Sequence, residues 1–250
     1  MSARHSAHPP IRLAQFGLVN TYLVPEADGL TLIDAGLPGL ERRLPPLIAR
    51  LGRPLRRVAI THAHADHAGS LDALAAAHPG LEVLLGEHDA PGLAALGVQT
   101  APTRLLRAGD RVGSLVVLDT PGHSPGHVAY LDERDGTLYG GDTFVNVPGL
   151  HAASVLSAVF PLPTLGTHDP AGTTASARAL LAVPAHFLAT GHGPVVREPG
   201  PAMERAVAQA EEGRAPSRLS AQVAAFVGRL TGMTTGGAVA AKAGLAGRGG

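Results

Sequence analysis

The chain has 250 residues, 45% of them apolar, enough for one large domain or for a core with an appendage. Its 20 basic side chains balance 20 acidic ones, so the whole chain has no net pull toward nucleic acid or an anionic membrane, local patches aside. With no cysteine, disulfides, thiolate metal sites and a cysteine nucleophile are excluded, and aromatics at 3% argue against a base-stacking platform.

Met1 to Pro10 is polar and offers no stretch resembling a signal peptide, and no run of 18 apolar residues occurs. A cytoplasmic protein without a membrane span is the expectation. Three apolar runs, Ile11–Phe16, Val19–Val24 and Leu30–Ile33, are separated by turn formers and predict a meander of strands. Gly39–Leu51 has helical spacing with Pro45 and Pro46 inside it, so a helix either begins at the prolines or is interrupted there. Val58–Ile60 is a short β-branched run, and Ser70–Ala77 reads as a helix with Ser70 as N-cap. Further strands are predicted at Glu82–Leu85, Leu105–Arg107, Leu115–Asp119, His127–Leu131 and Thr137–Tyr139, with a short helix near Pro91–Leu96. Such alternation predicts sheets covered by helices in one layered α/β domain.

From residue 143 to 172 the pattern dissolves into prolines, glycines and small apolar patches. This segment is read as a lid-like insertion with a helix in Ala152–Phe160. A helix at Thr173–Leu181 and a strand at Phe187–Thr190 follow. The hydrolase-type domain is taken as residues 1–199. Residues 200–250 are read as a helical extension: a helix to about Glu212, an amphipathic stretch at Leu219–Leu230 that either pairs subunits in a homodimer or packs on the domain, and a mobile Gly/Ala tail from Gly236.

Thirteen histidines make this composition unusual, and their positions carry the chemistry. Thr61-His62-Ala63-His64-Ala65-Asp66-His67-Ala68-Gly69 puts three imidazoles and a carboxylate just beyond an apolar strand. An extended His-x-His pair aims both rings to one side, and a turn at Asp66-His67 aims a carboxylate and a third ring at a second point. Imidazole with carboxylate suits zinc, with iron or manganese also compatible. Pro121-Gly122-His123-Ser124-Pro125-Gly126-His127, Gly140-Gly141-Asp142-Thr143 and Thr190-Gly191-His192-Gly193-Pro194 each follow another predicted strand. One sheet edge could present them all to one cleft.

In this order the motifs HxHxDH, PGHSPGH, GD and GHG, with Leu32-Ile33-Asp34-Ala35-Gly36 ahead of them, resemble the metallo-β-lactamase superfamily. The resemblance implies a four-layer αββα sandwich with a dinuclear metal site along one edge. It implies that His62, His64 and His123 hold one ion, that Asp66, His67 and His192 hold the other, and that Asp142 bridges both. It gives Asp34 a buttressing role behind the histidine loop. His127 is read as a satisfied histidine at a strand start. His151 and His168, inside the insertion, face either substrate or plain solvent, and His5, His8, His78, His88 and His186 receive no role.

The expected activity is hydrolysis by a hydroxide shared between two divalent ions, zinc first, with Asp66 passing a proton to the leaving group. The apolar insertion favours a small-molecule substrate with an acyl chain, a lactone or ester first, with acyl-homoserine lactones as the example. The lactonases of this family usually carry a tyrosine shortly after the bridging aspartate, whereas no tyrosine lies between Asp142 and His192 here. A glyoxalase II-like thioesterase has the same motifs, but Gly-His-Gly-Pro replaces the longer Gly-His-Glu-Tyr, and Lys242 is the single lysine available to anchor glutathione. A mononuclear iron persulfide dioxygenase resembles the superfamily as well.

Overall fold

The opening apolar runs form an antiparallel meander of β1 (Ile11–Gln15), β2 (Val19–Pro25) and β3 (Leu30–Ile33). The structure, a computed structural model, describes residues 9–213 and 218–231. The tail from Gly236, with His5 and His8, lies outside them. After a 3₁₀ turn at Leu40–Arg42, α1 (Pro45–Leu51) begins on its two prolines, whose fixed φ and missing N–H suit a first helical turn. β4 (Leu55–Ala59), α2 (Ala65–Ala68), α3 (Leu71–Ala77), β5 (Glu82–Gly86), α4 (Ala90–Ala95) and β6 (Arg104–Leu106) complete a first half. Ser70 precedes α3, but its hydroxyl does not cap it; it donates to the Leu37 carbonyl instead.

The second half contains β7 (Arg111–Val112), β8 (Leu115–Asp119), β9 (Val128–Asp132) and β10 (Thr137–Gly141). A hairpin of β11 (Phe144–Asn146) and β12 (Leu150–Ala152) leads to α5 (Leu162–Gly166), α6 (Pro170–Leu180), β13 (Phe187–Thr190), β14 (Val196–Arg197) and α7 (Gly200–Glu211). The last described element is α8 (Arg218–Thr231). The helix expected in Ala152–Phe160 does not form. The Ser157 hydroxyl accepts the backbone N–H groups of Val159 and Phe160, a local bond that competes with helix, and the helix starts only at the prolines beyond.

Two six-stranded sheets result, in the orders β1-β2-β3-β4-β5-β6 and β14-β13-β10-β9-β8-β7. One core lies between the first sheet and α1, α3 and α4, around Leu40, Leu44, Leu71, Leu74 and Leu93. A second lies between the sheets, with Tyr22, Ile33, Leu84, Val117, Tyr130 and Tyr139. A third joins the second sheet to α6 and α7 through Leu138, Leu180, Leu188, Met203 and Val207. This is the four-layer αββα order. Strands β3, β10 and β13 are buried at every position, because both their faces are covered.

Strand direction decides where chemistry can gather. β3, β4 and β5 are parallel, and in the other sheet β10 and β13 are parallel while β9 runs against both β8 and β10. The ends of β3, β4, β8, β10 and β13 therefore open on one rim, and the loops that leave them carry Asp34, His62, His123, Asp142 and His192. Cross-sheet hydrogen bonds lock the rim: Tyr22 Oη donates to the Thr190 carbonyl at 2.7 Å, Tyr130 Oη to that of Ile60 at 2.7 Å, and the Val128 amide to that of Thr61 at 2.9 Å.

Candidate metal centre

Beyond β4 the chain bends at Thr61 and His62, where the His64 amide donates to the His62 carbonyl at 3.1 Å, is extended at His64 itself (φ −109°, ψ 157°) and then turns helical in α2. That change splits the motif, with His62 and His64 in the turn before α2 and Asp66 and His67 on its helical turn. His64 Nδ1 lies 3.0 Å from His62 Nε2 and 3.1 Å from His123 Nε2. Tetrahedral donors at zinc–nitrogen distances would be about 3.3 Å apart, so the trio has the spacing of a shared ion. His192 Nε2 is 3.3 Å and His67 Nε2 3.9 Å from Asp66 Oδ2, which forms a second group.

Asp142 stands between them. Its Oδ2 is 3.0 Å from His192 Nε2 and 3.5 Å from His123 Nε2, and its Oδ1 is 3.6 Å from His67 Nε2. His67 Nε2 and Asp142 Oδ1 are fully buried and have no hydrogen-bond partner, a costly arrangement for two polar atoms that face each other. A cation answers that cost, and the donor set of imidazoles and carboxylates fits divalent metal. Gly191 makes room for this crowding, since a Cβ there would come within 2.1 Å of Asp142 Oδ1 and 2.6 Å of the His67 ring.

The outer ring nitrogens fix which lone pairs face inward. The Thr61 hydroxyl donates to Asp34, so it accepts from His62 Nδ1 at 3.0 Å. The Thr167 hydroxyl donates to the Pro163 carbonyl and accepts from His123 Nδ1 at 2.9 Å. His67 Nδ1 donates to Asp34 Oδ2 at 2.8 Å, and His192 Nδ1 donates to the Leu18 carbonyl at 3.3 Å. Each of these four rings thus turns Nε2 toward the centre, with its tautomer set from behind. Asp34 is the hub of this support, and it sits in a left-handed backbone conformation (φ 61°) that aspartate tolerates better than most side chains.

Electrostatics agree with a centre built for positive charge. Burial, followed by neighbouring imidazoles, holds His62 well below the ordinary histidine range, and burial does the same for His123. Burial opposes the ionised form of Asp142, yet His192 and His67 outweigh it and keep that carboxylate ionised. Asp66 is ionised in the same way, with His67 and His192 overcoming burial. Burial also opposes the charged form of His192, but Asp142 and Asp66 push it up to about 9.

All seven side chains singled out by motif therefore converge. Two contributors carry no local signal. Asp89, fully buried, accepts from the Ala63 amide (2.8 Å), the Ser124 hydroxyl (2.6 Å) and the Gly126 amide (2.6 Å), which ties the loop of His62 to the loop of His123. Thr167 fixes His123 from inside the segment 143–172. His127 is satisfied at both nitrogens. Its Nδ1 donates to Thr120 Oγ1 at 2.7 Å, and its Nε2 accepts the Asp142 amide at 3.1 Å, so it also sets the backbone of Asp142. His151 turns to the Gly149 carbonyl, and neither it nor the exposed His168 lines the cleft over the centre. That cleft holds about 500 Å³. Phe16, Leu18, Leu37, Leu96, Phe160 and Leu162 wall it, and His64, Asp66, His123, Asp142 and His192 floor it. Phe144 is buried in the third core and takes no part.

The sequence model of the metallo-beta-lactamase superfamily matches residues 14–192. The chain belongs to this superfamily. Among other members, the protein YobT of Bacillus subtilis (strain 168) is 37% identical over 213 residues, 78% of this chain and 91% of that one. TTHA1623, in a di-iron-bound form, is 32% identical with a TM-score of 0.57, over 78% of this chain and 97% of that one. A hydroxyacylglutathione hydrolase of Thermosynechococcus vestitus (strain NIES-2133 / IAM M-273 / BP-1) is 39% identical over 100 residues, 38% of this chain and 37% of that enzyme. The chain thus spans well under half the length of such relatives. Superfamily membership and the clustered donors support a metal-dependent hydrolase.

Proposed function

We propose that this hydrolase cleaves a carboxylic ester, a lactone in the first place, with acyl-homoserine lactones as the working example. His62, His64 and His123 would hold one divalent ion and Asp66, His67 and His192 a second, with Asp142 shared. Zinc is the first choice, with iron or manganese compatible. Two such ions lower the pKa of a shared water from about 16 to about 7 and so supply hydroxide at neutral pH. Asp66 is a third exposed and borders the cleft, and it is ionised at the outset. It accepts the proton released by the attacking water and returns it to the leaving alkoxide.

The observation that carries the substrate class is the cleft wall. Among the described residues its lining is apolar down to the metal centre and contains no lysine or arginine. Such a wall suits an uncharged acyl chain and offers nothing to the carboxylates of glutathione or to a phosphodiester backbone. Similarity to hydroxyacylglutathione hydrolases favours a thioesterase as the second reading.

The test is metal content together with a panel of lactones, simple esters and glutathione thioesters on the same sample. About two ions per chain are expected, with kcat/KM for an acyl lactone at least roughly tenfold above any glutathione thioester, a margin of about 1.4 kcal/mol. The reverse order would establish the thioesterase. One iron per chain with oxygen uptake and no hydrolysis would replace both with the dioxygenase.

A further inference from the structure

The apolar side chains that this fold leaves in water are unevenly placed. Nine large ones are exposed among the described residues, and Leu105 alone lies away from the cleft and its surroundings. Phe16, Leu18, Leu96 and Leu162 border the cleft, and Val159 adjoins Phe160, which lines it. The other three, Leu219, Phe226 and Leu230, belong to α8, which packs on α5, the helix that carries Leu162. On α8, Leu219, Val223, Phe226 and Leu230 recur at spacings of four, three and four and form one stripe, while Ser220 and Ala224 turn inward. A gathering of this kind marks an interaction surface.

Charge identifies the occupant. From Gly213 to Gly250 the sequence has no acidic residue and five basic ones, Arg214, Arg218, Arg229, Lys242 and Arg248. The neutral total therefore hides a segregation, since residues 1–212 carry 15 basic against 20 acidic side chains. A second copy of the chain is a poor fit, because paired α8 helices would bring Arg218 and Arg229 together with no acidic counterpart on either helix. We propose that α8 and the adjoining cleft rim dock on an anionic lipid bilayer, with the leucines and Phe226 in the interface and the arginines on lipid phosphates. Docking of this kind needs no membrane span, and no helix among the described residues is long and apolar enough to make one.

The test is flotation of the full-length protein with vesicles of phosphatidylcholine alone or mixed with phosphatidylglycerol. Binding to the mixed vesicles, weakened by salt, is expected. F226Q/L230Q should lose at least roughly tenfold in affinity, and R218Q/R229Q about fivefold per arginine. All four positions are exposed, so unchanged melting temperatures are expected to show intact folding. No vesicle binding, equal binding to both lipids, or variants that bind like wild type would overturn the proposal. So would a dimer in ultracentrifugation that dissociates in F226Q/L230Q without any vesicle binding. Lipid binding is read without catalysis, so the ester assignment stands or falls separately.

Discussion

Asp66 and Asp142 differ in access. Asp142 is sealed among imidazoles, while Asp66 is a third exposed and borders the cleft where a leaving group would depart. Asp66→Ala is therefore expected to lower kcat by roughly 10²–10⁴-fold. Near-wild-type turnover at full metal occupancy, read by metal analysis of the same sample, would remove its role in proton transfer. His127 titrates quite differently. Burial takes it from the ordinary 6.5 to about 3, so it stays neutral in the native state while the unfolded chain takes up a proton. Its contribution is complete above pH 6.5 and is lost as pH falls from there toward 3. Between pH 7 and pH 5 this amounts to about 2 kcal/mol. In metal-free protein, His127→Gln should remove that share of the acid slope in urea unfolding, and an unchanged slope would refute it. The seven donors were legible in the sequence because each sits in a short motif just past a strand. Asp89 and Thr167 were not, because their partners lie 26 to 44 residues away and nothing local announces the contact.

Among the elements, the loops after β4 and β8 matter most, and Asp89 is the clasp between them. Asp89→Ala leaves two buried amides and a hydroxyl without an acceptor. A loss of roughly 2–4 kcal/mol in urea unfolding is expected, together with weaker metal binding in a competition titration. Loss of stability at unchanged metal affinity would mean that the clasp supports the core but not the centre. Strands with strong apolar runs, such as β2, β3 and β13, could be read to within a residue or two. Elements of two to five residues, β7, β11, β12, β14, α2 and α5, are too short for any period to show. The segment after Ala152 misled for a different reason. Its apolar spacing suits a helix, but Ser157 satisfies the backbone locally and Pro161 and Pro163 move the helix start downstream.

At the scale of the whole molecule, the centre lies across the seam between two halves. His62, His64, Asp66 and His67 come from loops of the first sheet, and His123, Asp142 and His192 from loops of the second. Bound metal should therefore add to global stability. Saturation at about a thousand times Kd is worth roughly 4 kcal/mol, which for a chain of this size means a fall of at least about 8 °C in Tm when a chelator strips the ions. A melting curve unmoved by complete removal would show that the ions do not bridge the halves. The layered α/β class follows from alternating elements, whereas the charge segregation is hidden in the net charge because the two parts of the chain sum to zero. The two large sheets also do not interleave in sequence: β1 to β6 build one, and β7 to β10 with β13 and β14 build the other, joined only by the short turn between Leu106 and Arg111. A chain cut at that turn would leave four donors on one fragment and three on the other, each an incomplete chelator. Recovery of the metal centre would then report that the two pieces had found each other.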